Sequence, residues 1–283
     1  MNAAASAPRR LPDTQAQTDS RNLAIDRVGV RGLSFPVQIR EQDGGLQHTV
    51  ATVSLAVDLP ARHKGPHMSR FVEVLNSHGT VLDVHDIAGL PAELLRRLPA
   101  RCAHVEFRFP FFIAKEAPVS GARGLIDYGV VFEVEATAQE PQFTLHVEVP
   151  VATLCPCSKA ISDRGAHNQR GIVRLSVRFA RQPVFIEELV RLVEESASCE
   201  LYSVLKRPDE KAVTERAFDN PVFVEDVVRN VAERARRHRR ISWFRVEAEN
   251  FESIHNHQAF AVIESRPRRA AAAAKTTSPA RKR

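Results

Sequence analysis

The chain has 283 residues, 40 of them basic and 34 acidic, for a formal net charge of +6, and 43% of its residues are hydrophobic. That is enough to bury one large core or two ordinary ones, and too apolar for a disordered protein. Seven basic residues and no acid fall within 266–283, so the remainder is close to neutral and no specific nucleic-acid partner is expected.

Residues 1–26 are polar and rich in Ala, Gln and Ser, and are expected to be unfolded. They hold no apolar stretch suited to a signal peptide, and no later stretch would span a bilayer. Four cysteines in a chain this long make no disulfide framework, so a soluble, cytoplasmic protein without membrane contact is expected. Period-two alternation then predicts strands through Leu33, Phe35, Val37 and Ile39 and through Val53, Leu55, Val57 and Leu59. Helical spacing follows over 68–77 and 88–98, and alternation resumes at Val105, Phe107 and Phe109 and at Phe132, Val134 and Ala136.

The second half repeats the order. Strands are predicted through Phe143, Leu145, Val147, Val149 and Val151 and through Val173, Leu175, Val177 and Phe179. Apolar residues at i, i+3, i+4 and i+7 spacing predict a helix over 186–205, and a second over 222–237 after Asp219-Asn220-Pro221. Strands at Phe244, Val246 and Ala248 and over about 257–264 close the unit. The prediction is an α+β protein of two tandem β-β-α-α-β-β modules, 27–140 and 141–265. Each would have an antiparallel sheet with its helices on one face. Residues 266–283 form a disordered basic tail in this reading. Open sheet edges invite pairing between copies, so an oligomer is expected.

Three clusters could carry chemistry. Cys155 and Cys157 flank Pro156 where a strand must stop, and two residues apart in extended chain they would face one pocket. His167 follows in a polar loop after the turn Ser162-Asp163-Arg164-Gly165. In 249–257, Glu252 and His255 would share a face if one helical turn formed there, whereas His255 and His257 would point opposite ways in extended chain. Thiolate, imidazole and carboxylate together suit zinc or a neighbouring divalent metal. The third cluster is the charged run 206–211, with Glu225 at the start of the next helix. A carboxylate can accept a paired set of donors, and Lys159, Arg170, Lys206 and Arg207 could meet a polyphosphate. His85, His104 and His146 read as structural, and Cys102 and Cys199 as core residues.

Six blocks in order then carry a resemblance: HMSRFVEVL at 67–75, LCPCSKAIS at 154–162, AHNQR at 166–170, LKRPDEK at 205–211, FVED at 223–226 and ENFESIHNH at 249–257. Over about 28–265 the chain resembles the GTP cyclohydrolase IB family, with Pro66 standing where the family pattern has threonine. The resemblance implies a tunnelling fold in a homotetramer with sites at subunit interfaces. It also implies conversion of GTP and water to 7,8-dihydroneopterin triphosphate and formate, the entry to folate synthesis. Carried over by motif, a divalent metal (zinc, or manganese or iron) would be held by Cys155, His167, Glu252 and His255, with Cys157 an open alternative to Cys155. Glu210 would be a further carboxylate at the metal or in catalysis, and Glu225 the guanine anchor. His257 or the cysteine free of metal would carry protons.

Two other readings compete. A nitrile-reductase-like enzyme of the same fold would need a nicotinamide cofactor, and no glycine-rich dinucleotide fingerprint is present. A zinc-stabilised binding module would close its site with four Cys or His ligands, against which two candidate glutamates count.

Overall fold

The computed structural model describes residues 12–15, 17–82, 87–137, 141–179 and 182–265. The basic tail 266–283, residues 1–11 of the N-terminal segment and His85 lie outside the described residues. Within the segment expected to be unfolded, the Asp19 amide donates to the Arg62 carbonyl at 3.1 Å and the Lys64 amide to the Gln17 carbonyl at 3.3 Å.

The first half runs β1 (Ile25–Arg40), β2 (Leu46–Leu59), α1 (Met68–His78), β3 (Val81–Leu82), α2 (Gly89–Arg97), β4 (Ala103–Glu116) and β5 (Arg123–Ala136). The second runs β6 (Gln142–Leu154), α3 (Pro156–Ile161), β7 (Asn168–Phe179), α4 (Ile186–Glu194), β8 (Cys199–Glu200), α5 (Arg207–Asp219), α6 (Val224–Arg237), β9 (Ile241–Asn250) and β10 (Ala259–Glu264). The described residues fall into two compact units, one made of those within 12–111 and 129–145, the other of those within 112–128 and 146–265.

The expectation of two tandem modules, each with its own antiparallel sheet and a helix pair on one face, is corrected here. Among the described residues the strands form one ten-stranded mixed sheet in the order β10-β9-β7-β6-β5-β4-β2-β1-β3, with β8 paired to β6. β5 and β6 are neighbours in it, so pairing runs through the boundary expected at 140. The sheet is mixed because β3 runs parallel to β1. The short strands β3 and β8 and the helices α3 and α5 also break the expected element order.

Alternation along the strands fixes which side chains enter the core. In the first unit Val53 opposes Phe107 and Leu55 opposes Val105 across β2 and β4, all four buried. In the second, Val173, Leu175 and Val177 on β7 oppose Ala248, Val246 and Phe244 on β9. The apolar stripe of α6, Val224, Val227, Val228, Val231, Ala232 and Ala235, is buried, and α6 packs against β9 and β10. Side chains such as these each stabilise the fold by about 1.5–3 kcal/mol. Cys199 is buried as expected, whereas Cys102 is only half-buried.

The helix predicted over 186–205 stops at Glu194. Beyond it the Ser196 hydroxyl turns back to the Leu192 carbonyl at 2.8 Å, a side-chain bond that competes with helical continuation. Cys199 and Glu200 then pair with Ala152 and Val151 of β6. The apolar period persisted because Ala197 is buried and Leu201 and Val204 half-buried without being helical.

Candidate active site

β6 delivers the chain to the site and is held at its end. The Leu154 amide donates to Ser198 Oγ at 3.0 Å, and its carbonyl accepts from the Val222 amide at 3.1 Å. Pro156 opens α3, where its missing N–H costs nothing, and Cys155 caps that helix, its Sγ accepting from the Ser158 amide. The two cysteines therefore do not lie in one extended segment. Cys155 is the extended cap and Cys157 lies in the first helical turn.

The loop from 155 to 167 closes on itself. The Cys155 amide donates to the His167 carbonyl at 3.1 Å, and the His167 amide to Ser158 Oγ, also at 3.1 Å. Gly165, at φ 144°, takes the backbone conformation this return requires. His167 Nδ1 lies 3.0 Å from Gln169 Oε1, and Gln169 Nε2 reaches Thr153 Oγ1 at 2.9 Å.

β7 and β9 bring the second cluster alongside. Gly171 opposes Asn250, and a Cβ at Gly171 would stand 2.6 Å from Asn250 Oδ1 and 3.0 Å from the Glu249 carbonyl. The Phe251 amide then donates to the Arg170 carbonyl at 2.9 Å. Residues 251–258 form an irregular loop to β10, so no helical turn pairs Glu252 with His255. The His255 and His257 rings stack at 5.1 Å and 20° rather than pointing opposite ways.

One cleft of about 290 Å³ gathers Cys155, Cys157, His167, Glu225, Glu252, His255 and His257. Val222, Phe223 and Val224 supply an apolar wall, and Gln169, Asn250 and Ala259 complete the lining. Glu225 is an exposed carboxylate in the first turn of α6, where the helix dipole favours negative charge.

The remaining predicted residues do not line this cleft. Lys159 is turned to α5, donating to the Phe218 carbonyl and standing 4.2 Å over the Phe218 ring. Arg170, Lys206, Arg207 and Glu210 are exposed outside the lining, the last three at the start of α5. The run 206–211, read as a charged loop, is the entry to α5. Only Asp209 and Ala217 of that helix are buried, so it has no apolar stripe to betray it. The signal that could have found it is Pro208 at the helix start with acids in the first turn.

Sequence reading also missed Asp209 beside Glu210. Asp209 is fully buried and accepts from the amides of Val119, Ser120 and Lys206, each at 2.8 Å, and from Ser120 Oγ at 2.6 Å. Burial alone would raise its carboxyl, but the Ser120 hydroxyl and these amides hold it well below the usual carboxylate range. It ties the β4–β5 turn to the start of α5. Burial, then the neighbouring Glu200 charge, pushes the Cys199 thiol up to about 11, which leaves it inert.

The donors around the cleft fit a divalent metal by chemical type. Glu252 Oε2 is buried without a hydrogen-bond partner, and at 3.9 Å from His167 Nδ1 it is beyond hydrogen-bond reach. Among the described residues no three His, Cys, Asp or Glu side chains converge closely enough to close a metal site. The fit thus rests on donor chemistry and the orphaned oxygen, with His255 and His257 still exposed.

A cleft that sets thiol, imidazole and carboxylate groups against an apolar wall belongs to the class of enzymes that act on small molecules. Within that class the chain belongs to the type I GTP cyclohydrolase FolE2 family, whose sequence model matches residues 11–261. A GTP cyclohydrolase FolE2 of Akkermansia muciniphila is 64% identical over 256 residues, covering 90% of this chain and 97% of the relative. One from Nitrosococcus oceani is 51% identical over 256 residues, covering 90% and 96%. Among solved structures, uricase from Arthrobacter globiformis aligns with a TM-score of 0.48 at 10% identity, over 89% of this chain and 96% of that one.

Proposed function

We infer that this chain is a GTP cyclohydrolase of folate biosynthesis, converting GTP and water to 7,8-dihydroneopterin triphosphate and formate. The observation that carries the reading is the family match over residues 11–261, with a curated cyclohydrolase 64% identical across 90% of the chain. It favours this reaction over a nitrile reduction or a purely structural zinc module.

A divalent metal held by His167, Glu252, His255 and one of Cys155 and Cys157 would supply a Lewis acid and hydroxide at neutral pH. Zinc, manganese and iron all suit that donor set. The rest is the work of the chain. Glu225 accepts from N1–H and N2–H₂ of the guanine edge, and the wall of Val222, Phe223 and Val224 keeps water from the base. Hydrolysis at C8 opens the imidazole ring and releases formate, so protons must reach the departing nitrogen and leave the attacking water. The His257 imidazole, or the cysteine thiol not engaged by metal, carries them. Holding the base at Glu225 keeps C8 near these groups through both hydrolytic steps and the ribose rearrangement.

At about 290 Å³ the cleft lies near the lower bound for small-molecule sites. It suits the base end of GTP, and the triphosphate would extend toward Lys159, Arg170, Lys206 and Arg207. Glu210 is the further carboxylate. We place the working site at an interface of a cytoplasmic homotetramer, in which a second copy completes the site.

The test is to incubate the purified chain with GTP, with and without a chelator, and to follow the fluorescent pterin after oxidation. Pterin formation that the chelator abolishes and added metal restores is expected. No pterin from metal-loaded protein would overturn the activity. Full turnover by metal-free protein would overturn the metal.

A further inference from the structure

We propose that Gln169 is a positioning residue that fixes the tautomer of His167, so that the ring presents the Nε2 lone pair to the cleft. The proposal rests on His167 being a metal ligand and states which of its nitrogens holds the metal.

The chain of contacts begins in the sheet. Thr153 on β6 is fully buried, and its Oγ1 lies 2.9 Å from Gln169 Nε2. That anchors one end of the Gln169 amide in the sheet. The other end, Oε1, stands 3.0 Å from His167 Nδ1. Gln169 is on β7 and His167 lies two residues earlier, just outside the strand. The contact between them ties the loop histidine to the regular sheet.

The groups around Nδ1 decide the direction of this relay. An amide can be turned end for end, and the two orientations have opposite consequences. With the NH₂ toward Nδ1, the ring would accept there, its proton would sit on Nε2, and Nε2 could hold no metal. With the oxygen toward Nδ1, the ring donates there and Nε2 carries the lone pair. Glu252 Oε2, buried and without a hydrogen-bond partner, lies 3.9 Å from the same Nδ1. An ionised carboxylate only accepts, so a proton on Nδ1 is attracted to it and a bare lone pair there is repelled. With Glu252 on that side of the ring, the Nδ1–H form and the amide oxygen toward it are favoured together, which leaves the lone pair on Nε2. Residues that set a ligand histidine in this way typically change metal affinity about 10–100-fold when removed.

The experiment reads the tautomer directly. Two-bond ¹H–¹⁵N spectra of the metal-free full chain, recorded at about pH 8 above the ordinary imidazole range, identify the His167 signals by their loss in His167→Gln. The Nδ1–H form is expected in the wild type and in Gln169→Glu, which keeps an acceptor at that position. In Gln169→Leu, a mixed or Nε2–H form is expected, with zinc binding weakened about 10–100-fold and an unchanged circular dichroism spectrum. An Nε2–H tautomer in the wild type would overturn the proposal. So would Gln169→Leu with tautomer and zinc affinity both unchanged, or an equal loss of affinity in Gln169→Glu and Gln169→Leu, which would mark Gln169 as packing alone. A wild-type chain that takes up no zinc, manganese or iron would instead overturn His167 as a ligand. The tautomer spectra would still decide what Gln169 does.

Discussion

Glu225 and Asp209 show how differently two carboxylates at helix starts are used. Glu225 is exposed and lines the cleft, and in the function proposed above it would accept from the guanine edge. Glu225→Gln keeps the size but turns one acceptor into a donor that meets N1–H or N2–H₂ head on. We expect that variant to bind metal normally and to lose about 10⁴-fold in kcat/KM for GTP, measured by steady-state kinetics alongside metal content. Near wild-type kcat/KM would move the anchor elsewhere. Asp209 serves the fold instead. Because its folded carboxyl sits below the ordinary range, its contribution is complete above the unfolded value of about 3.9 and is lost as pH falls toward the folded value. The urea midpoint of the wild type should therefore exceed that of Asp209→Asn by a constant amount from about pH 8 to 5. Below about pH 4 the margin should narrow, and a margin that stays flat to about pH 2 would refute the role. The sequence showed the acid-rich run but not which member turns inward, because burial depends on the β4–β5 turn far away in the chain.

At the scale of elements, strands and amphipathic helices were legible because alternation and the 3.6-residue period come directly from burial on one face. α6 reads from its valine stripe and is found where expected. α5 was missed for the same reason in reverse, since a helix with almost no buried face leaves no period to read. Of the predicted site residues, those at the end of β6, in the loop before β7 and in the loop after β9 meet in one cleft. The cations and Glu210 do not line it, and no motif spacing could reveal where the ends of α3 and α5 come to rest. The close approach of β7 and β9 is testable. Gly171→Ala would press a methyl into Asn250 Oδ1 and the Glu249 carbonyl, so a loss of about 1–3 kcal/mol is expected. Equilibrium urea unfolding measures it, and an unchanged midpoint would mean that the strands separate freely.

For the whole molecule, the net charge of +6 is concentrated in residues 266–283, and the family match ends at residue 261. Deleting 266–283 should leave the kcat and KM for GTP unchanged. A rise in KM that high salt reproduces in the full-length chain would show that the tail steers the triphosphate. Module order was the least legible feature. Periodicity identifies strands but not their neighbours, and pairing across the expected boundary joined what local patterns had separated.

β10 is a six-residue strand at the end of the sheet order, and the loop carrying Glu252, His255 and His257 hangs between it and β9. Edge elements open with less free energy than the centre of a sheet, in cooperative steps short of global unfolding. Fraying of β10 would release these three side chains while β6, β7 and the thiols of 155 and 157 stay in place. Catalytic competence would then be the first property lost on warming. The temperature of half-inactivation should lie several degrees below the calorimetric melting point, with amide exchange in 251–264 rising first. Coincident inactivation and melting would show that β10 is held as firmly as the core.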